Sequence, residues 1–139
     1  MMRVLIDTNI VLDFFLRRAP WVDQSRELLV AQRAGRIELH LGANSLTDVF
    51  YVVRRQAGRP RAWLAVRSCI QSLKVVSIGR AELLAAAQLP GDDFEDNLQV
   101  VCAVSANVEA IVTRDLAGFG FSPIPVVDPA DLVVKLAQT

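Results

Sequence analysis

Short apolar runs that do not alternate with polar residues recur along this chain, each followed by a helical pattern. Arg3-Val4-Leu5-Ile6 ends at Asp7. Ile37 to His40, Lys74 to Ile78, Ala110-Ile111-Val112 and Pro125-Val126-Val127 are four more such runs. Runs of this kind predict strands covered on both faces. Between them the sequence predicts helices over Ile10 to Arg17, from Pro20 to about Ala34 before Gly35, and over Leu46 to Gln56 before Gly58. Further helices are predicted from Pro60 to about Ser72, over Arg80 to Gln88 and over Asp93 to Ala106, with a closing helix begun by Asp128-Pro129. The alternation predicts an α/β fold: a parallel five-stranded sheet with helices on both faces. With 139 residues the chain suffices for one domain with a real core and is short for two, so residues 1–139 read as a single domain.

Hydrophobic residues make up 53% and charged residues 22%, which argues against a disordered chain. No apolar run is long enough to cross a bilayer, and the acid at Asp7 breaks any signal-peptide pattern. Cys69 and Cys102 have no metal or redox spacing and read as buried thiols of a cytoplasmic protein. The single histidine, His40, ends an apolar run and reads as a structural or surface residue rather than a catalytic one. Net charge is zero but unevenly spread. Val49 to Ala81 holds seven bases and no acid: Arg54, Arg55, Arg59, Arg61, Arg67, Lys74 and Arg80. Asp92, Asp93, Glu95 and Asp96 then crowd together without a base. Solvated helix faces account for most of this. An acidic centre bordered by a basic track would suit a polyanion held by metal ions.

Ligands of parallel sheets sit outside the carboxyl ends of the strands. Four acidic positions fall at that predicted edge. Asp7 follows the first strand. Asp48 lies soon after the second, in what reads as the first turn of a helix. Asp93, Glu95 and Asp96 open the central helix, and Asp115 follows the fourth strand. Capping competes as an explanation: Ser45-x-x-Asp48 and Asp93-x-x-Asp96 both fit an N-cap with an acid three residues on. Capping does not explain why Asp7 and Asp115 share the edge. Like charges that close repel unless a cation intervenes, and Mg²⁺ or Mn²⁺ suits an all-carboxylate site.

These residues, in this order, resemble the PIN-domain ribonucleases, particularly the toxin half of VapBC-type toxin–antitoxin pairs. The matching pieces are VLIDTNIVLD (Val4 to Asp13), SLTDVFYVVRR (Ser45 to Arg55), DFEDNLQVVCA (Asp93 to Ala103) and IVTRDLAGF (Ile111 to Phe119). The resemblance implies cleavage of RNA phosphodiesters with Mg²⁺ or Mn²⁺, a small antitoxin partner and, commonly, a homodimer. By position, Asp7, Asp96 and Asp115 match the family's acids. Asp48 stands where many members carry Glu, and Asp93 is a frequent extra acid. Those five are the implied metal ligands. Thr8, Asn9 and Thr113 would orient the carboxylates or the attacking water.

In such chemistry metal ions neutralise charge growing on the leaving oxygen, orient the phosphate and lower the pKa of bound water. Asp7 is the expected central ligand; Asp48 would bind a second ion or position water. Two other readings compete. A phospho-receiver switch would need a lysine at the exit of its last strand, and Val126-Val127-Asp128-Pro129 has none. A PIN-like module that binds RNA or a partner without cutting would tolerate the Asp48 departure. The apolar pairs Phe14-Phe15 and Phe50-Tyr51 read as core or as a partner surface.

Overall fold

The computed structural model describes residues 1–138. Five strands form one sheet: β1 (Met2–Ile6), β2 (Ile37–Gly42), β3 (Lys74–Val76), β4 (Ala110–Val112) and β5 (Val126–Val127). Their order is β3-β2-β1-β4-β5, and every pairing is parallel. The chain lays strands outward from β1 on one side, then returns to lay β4 and β5 on the other. The order therefore reverses between β1 and β4, the switch point where such sheets open a crevice.

Among the described residues seven α-helices flank the sheet: α1 (Thr8–Phe15), α2 (Val22–Arg33), α3 (Ala43–Ala57), α4 (Arg59–Ser72), α5 (Arg80–Gln88), α6 (Phe94–Ser105) and α7 (Pro129–Ala137). Because strand side chains alternate, β1 feeds two cores. Val4 and Ile6 join Ile10, Leu28, Val49, Val53, Ala65 and Leu132 from α1, α2, α3, α4 and α7. Leu5 points the other way, toward Val100, Cys102 and Ala103 of α6 and toward Phe119. Helices thus cover both faces, as expected, and unalternating Val-Leu-Ile is what a doubly covered strand requires. The Asn97 amide holds α5 and its exit loop onto α6 through Ala86 and Leu89 carbonyls, at 3.0 and 3.2 Å.

The expected elements are all present, with shifted ends. β2 continues to Gly42, and α3 starts directly at Ala43 instead of Leu46. Gly58 takes a φ of 89°, which favours glycine, and turns the chain from α3 into α4 with Pro60 in the next first turn. Cys69 and Cys102 are buried free thiols. His40 pairs with Glu38 at 2.8 Å, a local role within β2. Among the described residues no helix is long and apolar enough to cross a membrane.

Candidate functional site

The end of β1 delivers Asp7 to the switch point. Its backbone N–H bonds the Val112 carbonyl at 2.9 Å, continuing the β1–β4 ladder one residue beyond the strand. Its carboxylate is held from two sides. Oδ1 caps α1 by accepting from the Thr8 N–H at 2.7 Å, and Oδ2 accepts from the Thr113 hydroxyl at 2.8 Å. Thr113 is fully buried and accepts in turn from the Asp115 N–H at 3.0 Å. One hydroxyl therefore ties the exit of β4 to the exit of β1.

Asp115 and Asp96 meet over Gly118. A methyl group added there would lie 2.6 Å from Asp115 Oδ2 and 3.1 Å from Asp96 Oδ2. Two carboxylates that are 19 residues apart thus face one small space, which a larger residue at 118 would fill. Asp115 Oδ1 also accepts from the Gly118 N–H at 3.2 Å, fixing the loop. Asp96 reaches this point from the first turn of α6. The helix is capped by Asp93, whose Oδ1 accepts from the Asp96 N–H at 2.9 Å. The capping explanation therefore holds for Asp93, which acts on the cluster as a nearby charge.

For Ser45 and Asp48 the capping explanation fails. Gly42 is the N-cap of α3, so Ser45 and Asp48 lie inside the helix, and no acid occupies its first turn. The structural reason is the longer β2, which leaves no loop for Ser45 to cap. Ser45 is fully buried, with its hydroxyl 2.7 Å from that of Thr8. Asp48 is half-buried and hydrogen-bonds Glu95 of α6. The Thr8 hydroxyl approaches the same Glu95 at 3.5 Å. Asn9, half-buried on α1, makes no side-chain hydrogen bond among the described residues.

The electrostatics follow from this convergence. Burial raises the pKa of Asp7 above the usual carboxylate range. The bonds from Thr113 and Thr8 oppose the shift, and the charge of Asp115 adds to it. Glu95 is pushed up to about 7 by burial, by the bond with Asp48, and by the charges of Asp48, Asp7 and Asp93. Asp96 is pushed up to about 6 by burial and by Asp93, Asp7 and Asp115. Six acids from four elements repel one another at a single sheet edge, and a cation there would relieve that repulsion. The donor set is all oxygen, which fits a hard divalent ion. Among the described residues no three of these groups are gathered closely enough to grip an ion.

Sequence reasoning places Asp7, Asp48, Asp96, Thr113 and Asp115 here. It counts Glu95 among the local acids without giving it a role, and it misses the amide that lies beneath Asp7. Gln99, fully buried on α6, directs its Nε2 toward Ser45 Oγ (3.2 Å), Asp7 Oδ1 (3.4 Å) and Thr8 Oγ1 (3.4 Å). A polar residue inside the apolar run Leu98 to Ala103 was the available signal. Among the described residues Arg54, Arg55, Arg59 and Arg61 make no ion pair with the site acids. Arg54 and Arg55 are exposed at the end of α3 remote from its start, and Arg59 and Arg61 are exposed beyond the Gly58 turn. Arg61 bonds the Phe15 carbonyl at 3.3 Å. A cavity of about 940 Å³ lies elsewhere again. It runs between α1, α2 and α4, lined by Phe14, Phe15, Leu29 and Ile70 among others, and reaches the starts of β2 and β3.

A doubly wound parallel sheet with carboxylates gathered at its switch point defines the class. The chain belongs to the PIN domain family, whose family model matches residues 3–117. Comparison with curated protein sequences finds no match. Among solved structures the chain is similar to a chain of DNA-bound VapBC from Salmonella typhimurium, with TM-score 0.71 and 19% identity over 93% of this chain and 99% of that one. It is also similar to a chain of VapBC2 from Rickettsia felis bound to a promoter DNA fragment (0.68, 15%, over 91% and 98%). A third is VapC20 of Mycobacterium tuberculosis, described as a toxin that cleaves the sarcin-ricin loop (0.69, 13%, over 88% and 98%). At these identities the likeness is one of fold.

Proposed function

We propose that residues 1–139 form one metal-dependent endoribonuclease domain, the toxin of a VapBC-type pair acting in the cytoplasm. The observation that carries this reading is the meeting of Asp96 and Asp115 over Gly118, one hydroxyl away from the doubly held Asp7. Asp7, Asp96 and Asp115 would hold Mg²⁺ or Mn²⁺. Asp48 and Glu95 face them as a second carboxylate pair, while Asp93 caps α6. A bound ion would neutralise phosphate charge and lower the pKa of water. Thr113 orients Asp7, and Thr8 spans Asp7, Ser45 and Glu95. Asn9, half-buried on α1, would meet substrate or water. With no histidine in the site, the acids and the ion would manage the proton.

An antitoxin partner is supported by the fold likeness to VapBC complexes. A homodimer belongs to the same reading. The test is cleavage of RNA by the purified protein. Activity should need Mg²⁺ or Mn²⁺, stop with chelator, and vanish in Asp7→Asn while the fold persists. Full activity after verified metal removal, or in Asp7→Asn, would overturn the mechanism. A folded wild type that binds RNA and never cuts it would favour the non-cleaving module.

A further inference from the structure

Gln99 is fully buried on α6 among Leu98, Val100, Cys102 and Ala103. An apolar side chain would sit there at lower cost, so a buried amide needs a reason. Its nitrogen faces three oxygens supplied by the β1 exit, α1 and α3: Asp7 Oδ1, Thr8 Oγ1 and Ser45 Oγ. Among the described residues its oxygen has no hydrogen-bond partner. That oxygen lies near Gly42 together with Asn44 Oδ1, also buried and unpaired. A methyl group at Gly42 would stand 3.5 Å from the first and 2.6 Å from the second. Reversing the amide would set its oxygen against the Asp7 carboxylate, which favours the orientation with the nitrogen toward Asp7. The side chain leaves its acceptor unpaired to keep its donors on Asp7 and the two hydroxyls.

We propose that Gln99 is a positioning residue: its buried amide, with the Thr8 N–H, fixes Asp7 Oδ1 while Thr113 fixes Oδ2. Together these donors set the direction in which the carboxylate presents itself at the sheet edge. For metal binding this rests on the nuclease reading above; the contact with Asp7 does not. Gln99→Met keeps the bulk and removes the amide. Direct calorimetric titration with Mn²⁺, without RNA, should show a Kd at least fivefold weaker than wild type while the circular dichroism is unchanged.

A double-mutant cycle of Gln99→Met with Asp7→Asn, read on the unfolding equilibrium, tests the contact without metal. The effect of Gln99→Met should differ at least fivefold between the two backgrounds. Equal effects in both, with Mn²⁺ affinity unchanged, would overturn the proposal. If the wild type binds no Mn²⁺ yet the cycle shows coupling, the metal reading falls and the positioning role stands. Should Gln99→Met not fold, the side-chain amide resonances of Gln99 give the answer in the native sequence. They should shift on Asp7→Asn, and unmoved resonances would overturn the contact.

Discussion

Arg114 grips Asp13 with two donors, Nε to Oδ2 at 2.8 Å and Nη2 to Oδ1 at 3.1 Å, across 101 residues of chain. Asp13 is fully buried on α1, and Arg114 lies between Thr113 and Asp115. The guanidinium also stacks 3.8 Å over the Trp21 ring, and Arg18 adds a weaker contact to Asp13 at 3.7 Å. The pair fastens the loop that carries two site residues to the helix that begins at a third. It also withdraws Arg114 from the surface, so this arginine is structural despite its address in the motif.

Asp13→Asn should therefore destabilise the fold. Removing one partner of a buried pair typically costs 3–5 kcal/mol. Because the Arg114 side chain keeps 22% exposure, we expect the low end, about 3 kcal/mol, in urea unfolding. Arg114→Lys should lose most of the same stability, since an ammonium offers neither the fork nor the flat stacking face. Wild-type stability in either variant would contradict the fastening role.

Thr113→Val removes the bridge between Asp7 and Asp115 at nearly constant shape. Asp7 Oδ2 would lose its donor in a buried setting, at a cost of about 1–3 kcal/mol. Cleavage should fall more than stability suggests, and Thr113→Ser should restore it. Equal rates for Thr113→Val and wild type would remove Thr113 from the machinery.

How legible these relationships were depends on their range. Asp7, Asp96 and Asp115 could be placed because a parallel sheet brings strand exits and following helix starts to one edge, whatever the side-chain details. Ser45 and Asp48 misled because Ser-x-x-Asp is a valid start signal, and nothing local tells that β2 runs through Gly42 into α3. The Asp13–Arg114 pair and the Gln99 bonds to Asp7 and Thr8 join residues about 90 or more apart. Periodicity describes one element at a time and is blind to such partners.

The pH dependence of stability has a definite sign. Glu95, at about 7, and Asp96, at about 6, sit above ordinary carboxylates, and Asp7 is raised as well. A raised folded-state pKa stabilises the fold fully below the unfolded value, and that stabilisation is lost as pH rises through the folded one. In chelator the melting temperature should therefore drop between about pH 4 and pH 7. Mn²⁺ should restore it most at the upper end, where the acids are ionised. A melting temperature that climbs across this range in chelator would show that the cluster is not under mutual strain.

The basic track can be tested through salt. Arg54 and Arg55 stand six and seven residues beyond Asp48 on α3, about 9–10 Å along the axis at 1.5 Å per residue. Arg59 and Arg61 lie past the Gly58 turn, further from the acids. Replacing Arg54 or Arg55 with Gln should reduce the log–log salt slope of RNA binding by about 0.7 for each single-strand phosphate that the variant no longer neutralises. The same change at Arg59 or Arg61 should do less. Equal slopes for all four variants and wild type would return them to the solvated surface.

Asp48 is one methylene shorter than the glutamate that many PIN domains carry. The structure sets Glu95, arriving from α6, against Asp48 and near Thr8. Glu95 thus brings a longer carboxylate beside Asp48. If the two act as one unit, Asp48→Asn and Glu95→Gln should each weaken Mn²⁺ binding by about tenfold, or about 1.4 kcal/mol. The double variant should lose little more than either single one, because a shared function is lost only once. Asp48→Glu in the Glu95→Gln background should recover part of the affinity by supplying the missing length from α3. Stability should not follow this pattern, since α3 is capped by Gly42 and Asp48 plays no part at its start. Calorimetry on the wild type and these four variants decides: additive losses, or no recovery by Asp48→Glu, would mean that Glu95 is only a neighbouring charge.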